Sequence, residues 1–254
     1  MTESTTNWQR PGDNYILPEG ELHVWRARID GSSESLVKLR QTLSIAECER
    51  AAKFYFMPDR TRYVIGRGLC RILLGRCLGI SADRLSFAYG PAGKPKLAQD
   101  FQQSLLHFNV AHSGDFVLVA LAYRCELGVD IELIERDVEV EGIAQQFFSA
   151  NERGSLIANV PADGKHDAFF TCWTRKEAYL KARGDGLSLP LDSFDVAFLP
   201  GQAPRLIETR QDPAEASRWT LQDLDVDPLY KAALACEGAS LQLRTWDWRG
   251  DFGL

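Results

Sequence analysis

The chain has 254 residues, 45% hydrophobic and 25% charged, which suits one large core or two smaller ones and excludes a fibrous or disordered polymer. A formal net charge of −6 argues against a nucleic-acid partner, so any anion site must be a local cluster of basic side chains. Six scattered cysteines form no CxxC pair and no Cys/His metal spacing, and neither a signal peptide nor an apolar run near ~20 residues is present; free thiols, a cytoplasmic location and no membrane contact are expected.

Residues 1–20 are polar with Pro and Gly and read as a loosely held arm. ELHVWRARI alternates like a strand. In SIAECERAAKFYF, Ser44 stands as an N-cap with Glu47 three residues on, the spacing of a capping box. RTRYVIGRGLCRILLGRCLG continues as a longer amphipathic helix, with its arginines assigned to the polar face. PAGKPKL is a Pro/Gly turn carrying Lys94 and Lys96. LLHFNVAHSGDFVLVALAY reads as a hairpin turning at residues 112–115, and LGVDIEL as the next strand. Helices are predicted around EGIAQQFFS, ANERGSLIAN and DAFFTCWTRKEAYLKAR, then short strands at FDVAFL, RWTLQDLDV, YKAALAC and LQLRTWDW. Each half therefore runs strand, helices, strands. The expected fold is α+β, with two similar subdomains at 21–124 and 125–254.

The acidic residues of the second half make a pattern. In GVDIEL, Val129, Ile131 and Leu133 alternate with Asp130 and Glu132, which puts both carboxylates on one sheet face. Two like charges at that spacing repel, and a cation would relieve them. On the helix FFTCWTRKEAYLKAR, Phe169, Trp173 and Leu180 share an arc, with Glu177 inside it and Lys176 at its margin. A carboxylate on a core-facing arc needs compensation. Three carboxylates with water are the hard oxygen set that Mg²⁺ prefers. Lys176, Lys181, Lys94, Lys96, Arg50, Lys53, Arg60, Arg62, Arg67 and the turn residue His112 supply positive charge. With a carboxylate-bound Mg²⁺ they would form a phosphate site. No GxxxxGK[ST] loop or strand-following GxGxxG is present, so P-loop and Rossmann chemistry are disfavoured.

Read in order, GKP at 93–95, FNVAHSG at 108–114, GVDIE at 128–132 and FF…W-x-x-K-E-A-x-x-K at 169–181, followed by GLSLPLDSF, resemble the Sfp-type 4′-phosphopantetheinyl transferases. The pairing of GVDIE with WTRKEAYLK some way downstream is the specific part. The resemblance implies two similar α+β halves with the active site between them. It implies transfer of the phosphopantetheine arm of coenzyme A to a serine of an apo acyl- or peptidyl-carrier protein. On this chain, Asp130, Glu132 and Glu177 would ligate Mg²⁺ against the coenzyme A pyrophosphate. Lys181 would bind a pyrophosphate oxygen and His112 a phosphate of the nucleotide end. Lys94 and its turn, with Gly93 and Pro95, would hold the adenine side, helped by Arg62, and Lys176 joins this coenzyme-binding group. Glu177, directly or through water, would take the proton from the carrier's serine. Ala111 stands where members often carry Ser, and Glu47 where a basic residue often meets the 3′-phosphate; Arg50 and Lys53 are the substitutes. A monomer is expected, since the two halves already supply both walls of a cleft. Two other readings stay open: a Mg²⁺-dependent nucleotide phosphohydrolase, and a non-catalytic binder of coenzyme A or carrier protein.

Overall fold

The structure, a computed structural model, describes residues 6–12, 15–29, 33–238 and 241–250. In chain order it contains β1 (Glu21–Arg28), α1 (Ser33–Gln41), α2 (Ile45–Ala52), α3 (Met57–Leu78), β2 (Phe87–Tyr89), β3 (Pro95–Leu97), β4 (Leu106–Ser113), β5 (Phe116–Tyr123) and β6 (Leu127–Leu133). Then come α4 (Val140–Phe147), α5 (Ala150–Asn159), α6 (Lys165–Arg183), β7 (Phe194–Val196), β8 (Leu206–Thr209), β9 (Trp219–Asp223), β10 (Tyr230–Glu237) and β11 (Gln242–Trp248). Mixed helix and sheet make this an α+β protein, as expected, and the chain divides into two compact units. No helix among the described residues is long and apolar enough to cross a membrane.

The N-terminal unit comprises residues 6–88, 95–124 and 241–250. Its four-stranded sheet runs β11-β1-β5-β4, with β1 parallel to β11 and antiparallel to β5. Ser44 caps α2 in the expected box: its hydroxyl accepts from the Glu47 amide, and the Glu47 carboxylate accepts from the Ser44 amide at 2.8 Å. That carboxylate does more. It also takes the guanidinium of Arg67, and that of Arg71 at 2.7 Å, and all three side chains are buried. Arg67 therefore leaves the polar face where the sequence reading put it. Paired charge makes its burial tolerable, and its guanidinium lies 3.8 Å over the Phe87 ring. The arm is tied down where it is described, because the Gln9 amide donates to Thr245 and the Gln9 carbonyl accepts from Asp247; residues 1–5 and 13–14 lie outside the described residues.

The C-terminal unit comprises residues 89–94 and 125–238. Its antiparallel sheet runs β6-β10-β9, and α6 lies against it through a core of Phe169, Cys172, Ala178, Tyr179, Leu180, Ala233 and Ala235. Two segments depart from a simple division at residue 125. Strand β11 belongs to the N-terminal unit, where it hydrogen-bonds along β1, and the turn 89–94 belongs to the C-terminal unit.

Candidate functional site

The site begins with a glycine. A Cβ on Gly128 would overlap the carbonyl oxygen of Ala178 and the amide of Ala182, and would stand 2.7 Å from the Lys181 carbonyl carbon. Only a glycine lets the α6 backbone come this close to β6. Because side chains alternate, the face of β6 that carries Gly128 also carries Asp130 and Glu132. The carboxylate face expected from the alternation is thus the face against α6.

Helix α6 then decides which side chains meet them. It is buried around most of its circumference, and its less buried line is Trp173, Glu177 and Lys181, spaced four apart. Lys181 Nζ stands 2.5 Å from Asp130 Oδ1. Asp130 is 3% exposed, and its other oxygen, Oδ2, is buried with no hydrogen-bond partner. Burial pushes the Asp130 carboxyl above its usual range, against the pull of Lys181. Burial raises Glu177 too, and the charge of Asp130 raises it further. Burial alone would lower Lys181, but Asp130, Glu177 and Glu132 reverse this and hold its ammonium above the ordinary lysine value. Asp130, Glu177, Lys181 and Glu132 are therefore one electrostatic group.

This group tests whether a divalent cation fits. An orphaned buried carboxylate oxygen, and a second carboxyl raised by the first, are what a cation would relieve. Among the described residues, however, no three His, Cys, Asp or Glu side chains are drawn together as a preformed metal cluster. The donor chemistry fits Mg²⁺.

Two sequence candidates have other work. Lys176 is fully buried, and its three donors go to Glu152 Oε2 at 2.8 Å, the Leu191 carbonyl at 2.8 Å and the Phe194 carbonyl at 2.6 Å, with the Phe194 ring 4.1 Å below. It has no donor left for a coenzyme and is a structural cation. Lys94 likewise donates to Glu126 Oε2 at 2.9 Å, Leu127 O at 3.2 Å and Ala182 O at 2.7 Å. Its ammonium ties the turn to the start of β6 and the end of α6, next to Lys181. The turn is closed by its own main chain: Gly93, at φ +81°, donates to Gly90 O, and Gly90 donates to Lys94 O, just before Pro95.

The remaining basic candidates lie in the N-terminal unit. His112, next to the turn of the β4–β5 hairpin, is exposed. Arg62 donates to Gly114 O at 2.7 Å and to Asp59, so it braces that hairpin turn. Arg50 is exposed, its guanidinium 5.5 Å over the Tyr63 ring. Glu47 is held by Arg67 and Arg71, which removes it from any phosphate contact.

Comparison with known proteins agrees over most of the chain. Residues 126–236 match the family model of the 4′-phosphopantetheinyl transferase superfamily, and residues 28–124 match that of the 4′-phosphopantetheinyl transferase N-terminal region. The chain is 36% identical over 241 residues to 4′-phosphopantetheinyl transferase HetI of a Nostoc species, covering 95% of this chain and 98% of that protein. It is 32% identical over 204 residues to 4′-phosphopantetheinyl transferase Sfp of Bacillus subtilis, covering 80% and 86%. It is 27% identical over 203 residues to the L-aminoadipate-semialdehyde dehydrogenase-phosphopantetheinyl transferase of Rattus norvegicus, covering 74% and 65%.

Proposed function

The chain belongs to the 4′-phosphopantetheinyl transferase superfamily, in its Sfp-type branch, and on that premise we propose that the Asp130 group of β6 and α6 is its catalytic centre. The protein is a transferase that moves the phosphopantetheine arm of coenzyme A onto a carrier protein. The observation that carries the site assignment is Asp130, buried, with one oxygen on Lys181 and the other without a partner.

Asp130, Glu132 and Glu177 would hold Mg²⁺, which when bound neutralises the two phosphoryl groups of coenzyme A. Lys181 offers its ammonium to a pyrophosphate oxygen and answers the charge that develops during transfer. The serine hydroxyl of the acceptor attacks the β-phosphate. The bond to the bridging oxygen breaks, and 3′,5′-ADP leaves with the electron pair. Glu177, directly or through water, accepts the serine proton; its raised carboxyl suits a base that must give the proton up again. His112 and Arg50 serve the nucleotide phosphates, and the main chain of the Gly93–Pro95 turn serves the adenine side, helped by Arg62. The protein acts as a monomer in the cytoplasm, on an acyl or peptidyl carrier, and its two α+β units are a duplication of one ancestral unit.

The test is release of 3′,5′-ADP from coenzyme A with Mg²⁺ and an apo-carrier. The proposal requires release only when the carrier is present and its serine intact. Release without a carrier would make the protein a nucleotide phosphohydrolase instead.

A further inference from the structure

We infer that the crest Phe54–Tyr55–Phe56–Met57 is the surface on which the protein acceptor docks, meeting it with apolar side chains inside a basic margin. The inference rests on the transferase reading above and names a contact for its partner.

Four consecutive large apolar residues stand out from the N-terminal unit where the α2–α3 connection runs into the first residue of α3. Tyr55 is 91% exposed, Phe56 63% and Met57 64%. Single exposed apolar side chains need no explanation, but an unbroken run of them on a folded surface marks a place where something binds. The run is also held in shape. Phe56 is the N-cap of α3, and Pro58 fixes the first turn behind it. The Tyr55 and Phe56 rings meet edge to face at 5.0 Å, and the Phe54 ring rests 5.4 Å from Tyr63. Rings already in place lose little freedom when a partner covers them, which is the character of a binding hot spot.

The surroundings select the partner. Arg50 and Lys53 are exposed at one end of the crest, and Arg60 is half-buried at the other. The carboxylate of Asp59 is engaged by Arg62, so it does not cancel that rim. On a chain of net charge −6 this is a local basic margin around an apolar centre. Its complement is an acidic surface with an apolar middle. The crest also joins the residues proposed for coenzyme A: Arg50 lies over the Tyr63 ring that Phe54 touches, and Arg62 adjoins Tyr63 in sequence. One segment, 50–63, would carry both the nucleotide contacts and the acceptor contacts.

The test uses the full chain carrying Tyr55→Ser, Phe56→Ser and Met57→Ser together, with Lys53→Glu as a separate variant. Steady-state transfer is measured against varied apo-carrier and varied coenzyme A, and direct binding is measured with a carrier whose acceptor serine is replaced by alanine. The inference requires KM for the carrier to rise about tenfold or more in the triple variant, with weaker direct binding. KM for coenzyme A should not move, and the melting temperature should not fall, since the serine introduced by Phe56→Ser can cap α3. Lys53→Glu should raise the carrier KM and flatten its dependence on salt. An unchanged carrier KM in the triple variant overturns the inference and leaves the transferase reading intact. Crest-dependent self-association of the wild type, or crest-dependent binding to phosphatidylglycerol vesicles, with carrier KM unaffected, also overturns it. A wild type that binds the serine-less carrier through the crest but transfers nothing to an intact one upholds the docking surface and overturns the transferase reading.

Discussion

Lys181 Nζ lies 2.5 Å from Asp130 Oδ1, an ion pair between α6 and β6 in which the Asp130 side chain is 4% exposed and the Lys181 side chain 32%. Its inner member cannot relax into water, and its outer member can reach an incoming anion. Removing Asp130 would leave Lys181 with only the more distant carboxylates, while removing Lys181 would strand a buried charge. The pair is therefore stable only as a unit, and the unpaired Oδ2 is where it still has capacity to bind.

The raised carboxyl of Glu177 sets a stability test. Its folded value lies above the ordinary 4.5, so folding favours the protonated form. That contribution is complete below about pH 4.5 and is lost as pH rises through the folded value; at neutral pH, ionised Glu177 opposes folding. Glu177→Gln should raise Tm at pH 7 by about 2 °C or more, and the gain should vanish near pH 4. The same variant should lose transfer. Millimolar Mg²⁺ should raise Tm of the wild type at pH 7 but not that of Asp130→Asn. Thermal melts at the two pH values, with and without Mg²⁺, check all of this.

Gly128→Ala should be severe. Its methyl group would meet the backbone of α6 at Ala178, Lys181 and Ala182, and no side-chain rotation can relieve that. A loss of about 3 kcal/mol or more is expected in denaturant melts, with transfer reduced even where the protein stays folded, because Lys181 moves away from Asp130.

Lys176→Met separates a structural lysine from a coenzyme ligand. It strands Glu152 and the Leu191 and Phe194 carbonyls, so stability should fall by roughly 3–5 kcal/mol. The KM for coenzyme A of the surviving folded enzyme should stay the same. A raised KM at unchanged stability would return Lys176 to the coenzyme site.

His112→Ala should do the reverse. The side chain is exposed, so Tm should hold within experimental scatter, while KM for coenzyme A should rise about tenfold for the loss of a charge-assisted hydrogen bond. Steady-state kinetics with varied coenzyme A measures it.

Much of this was legible because it is local. The alternation of GVDIEL places Asp130 and Glu132 on one face whatever packs there, and Ser44 with Glu47 announces the start of α2. What was not legible depends on distant partners. The arc drawn for α6 treats it as a helix with one core face, but it is buried nearly all round, so its apolar pattern could not reveal that Lys176 is inside and that the Trp173–Glu177–Lys181 line is the open one. Lys176 is made tolerable by Glu152 and by carbonyls of the 191–194 segment, just as Arg67 and Arg71 are by Glu47. Strand β11 returns from the far end of the chain to lie parallel to β1, a pairing with no local signal. Helix α1, a polar nine-residue segment, and β8, only four residues long, show too little periodicity to be read.

The most direct measurement is the mass of an apo-carrier incubated with coenzyme A, Mg²⁺ and either the wild type or Asp130→Ala. The account predicts one added phosphopantetheine on the acceptor serine with the wild type, and none with Asp130→Ala at equal folded concentration. Complete modification of the carrier by Asp130→Ala would contradict it.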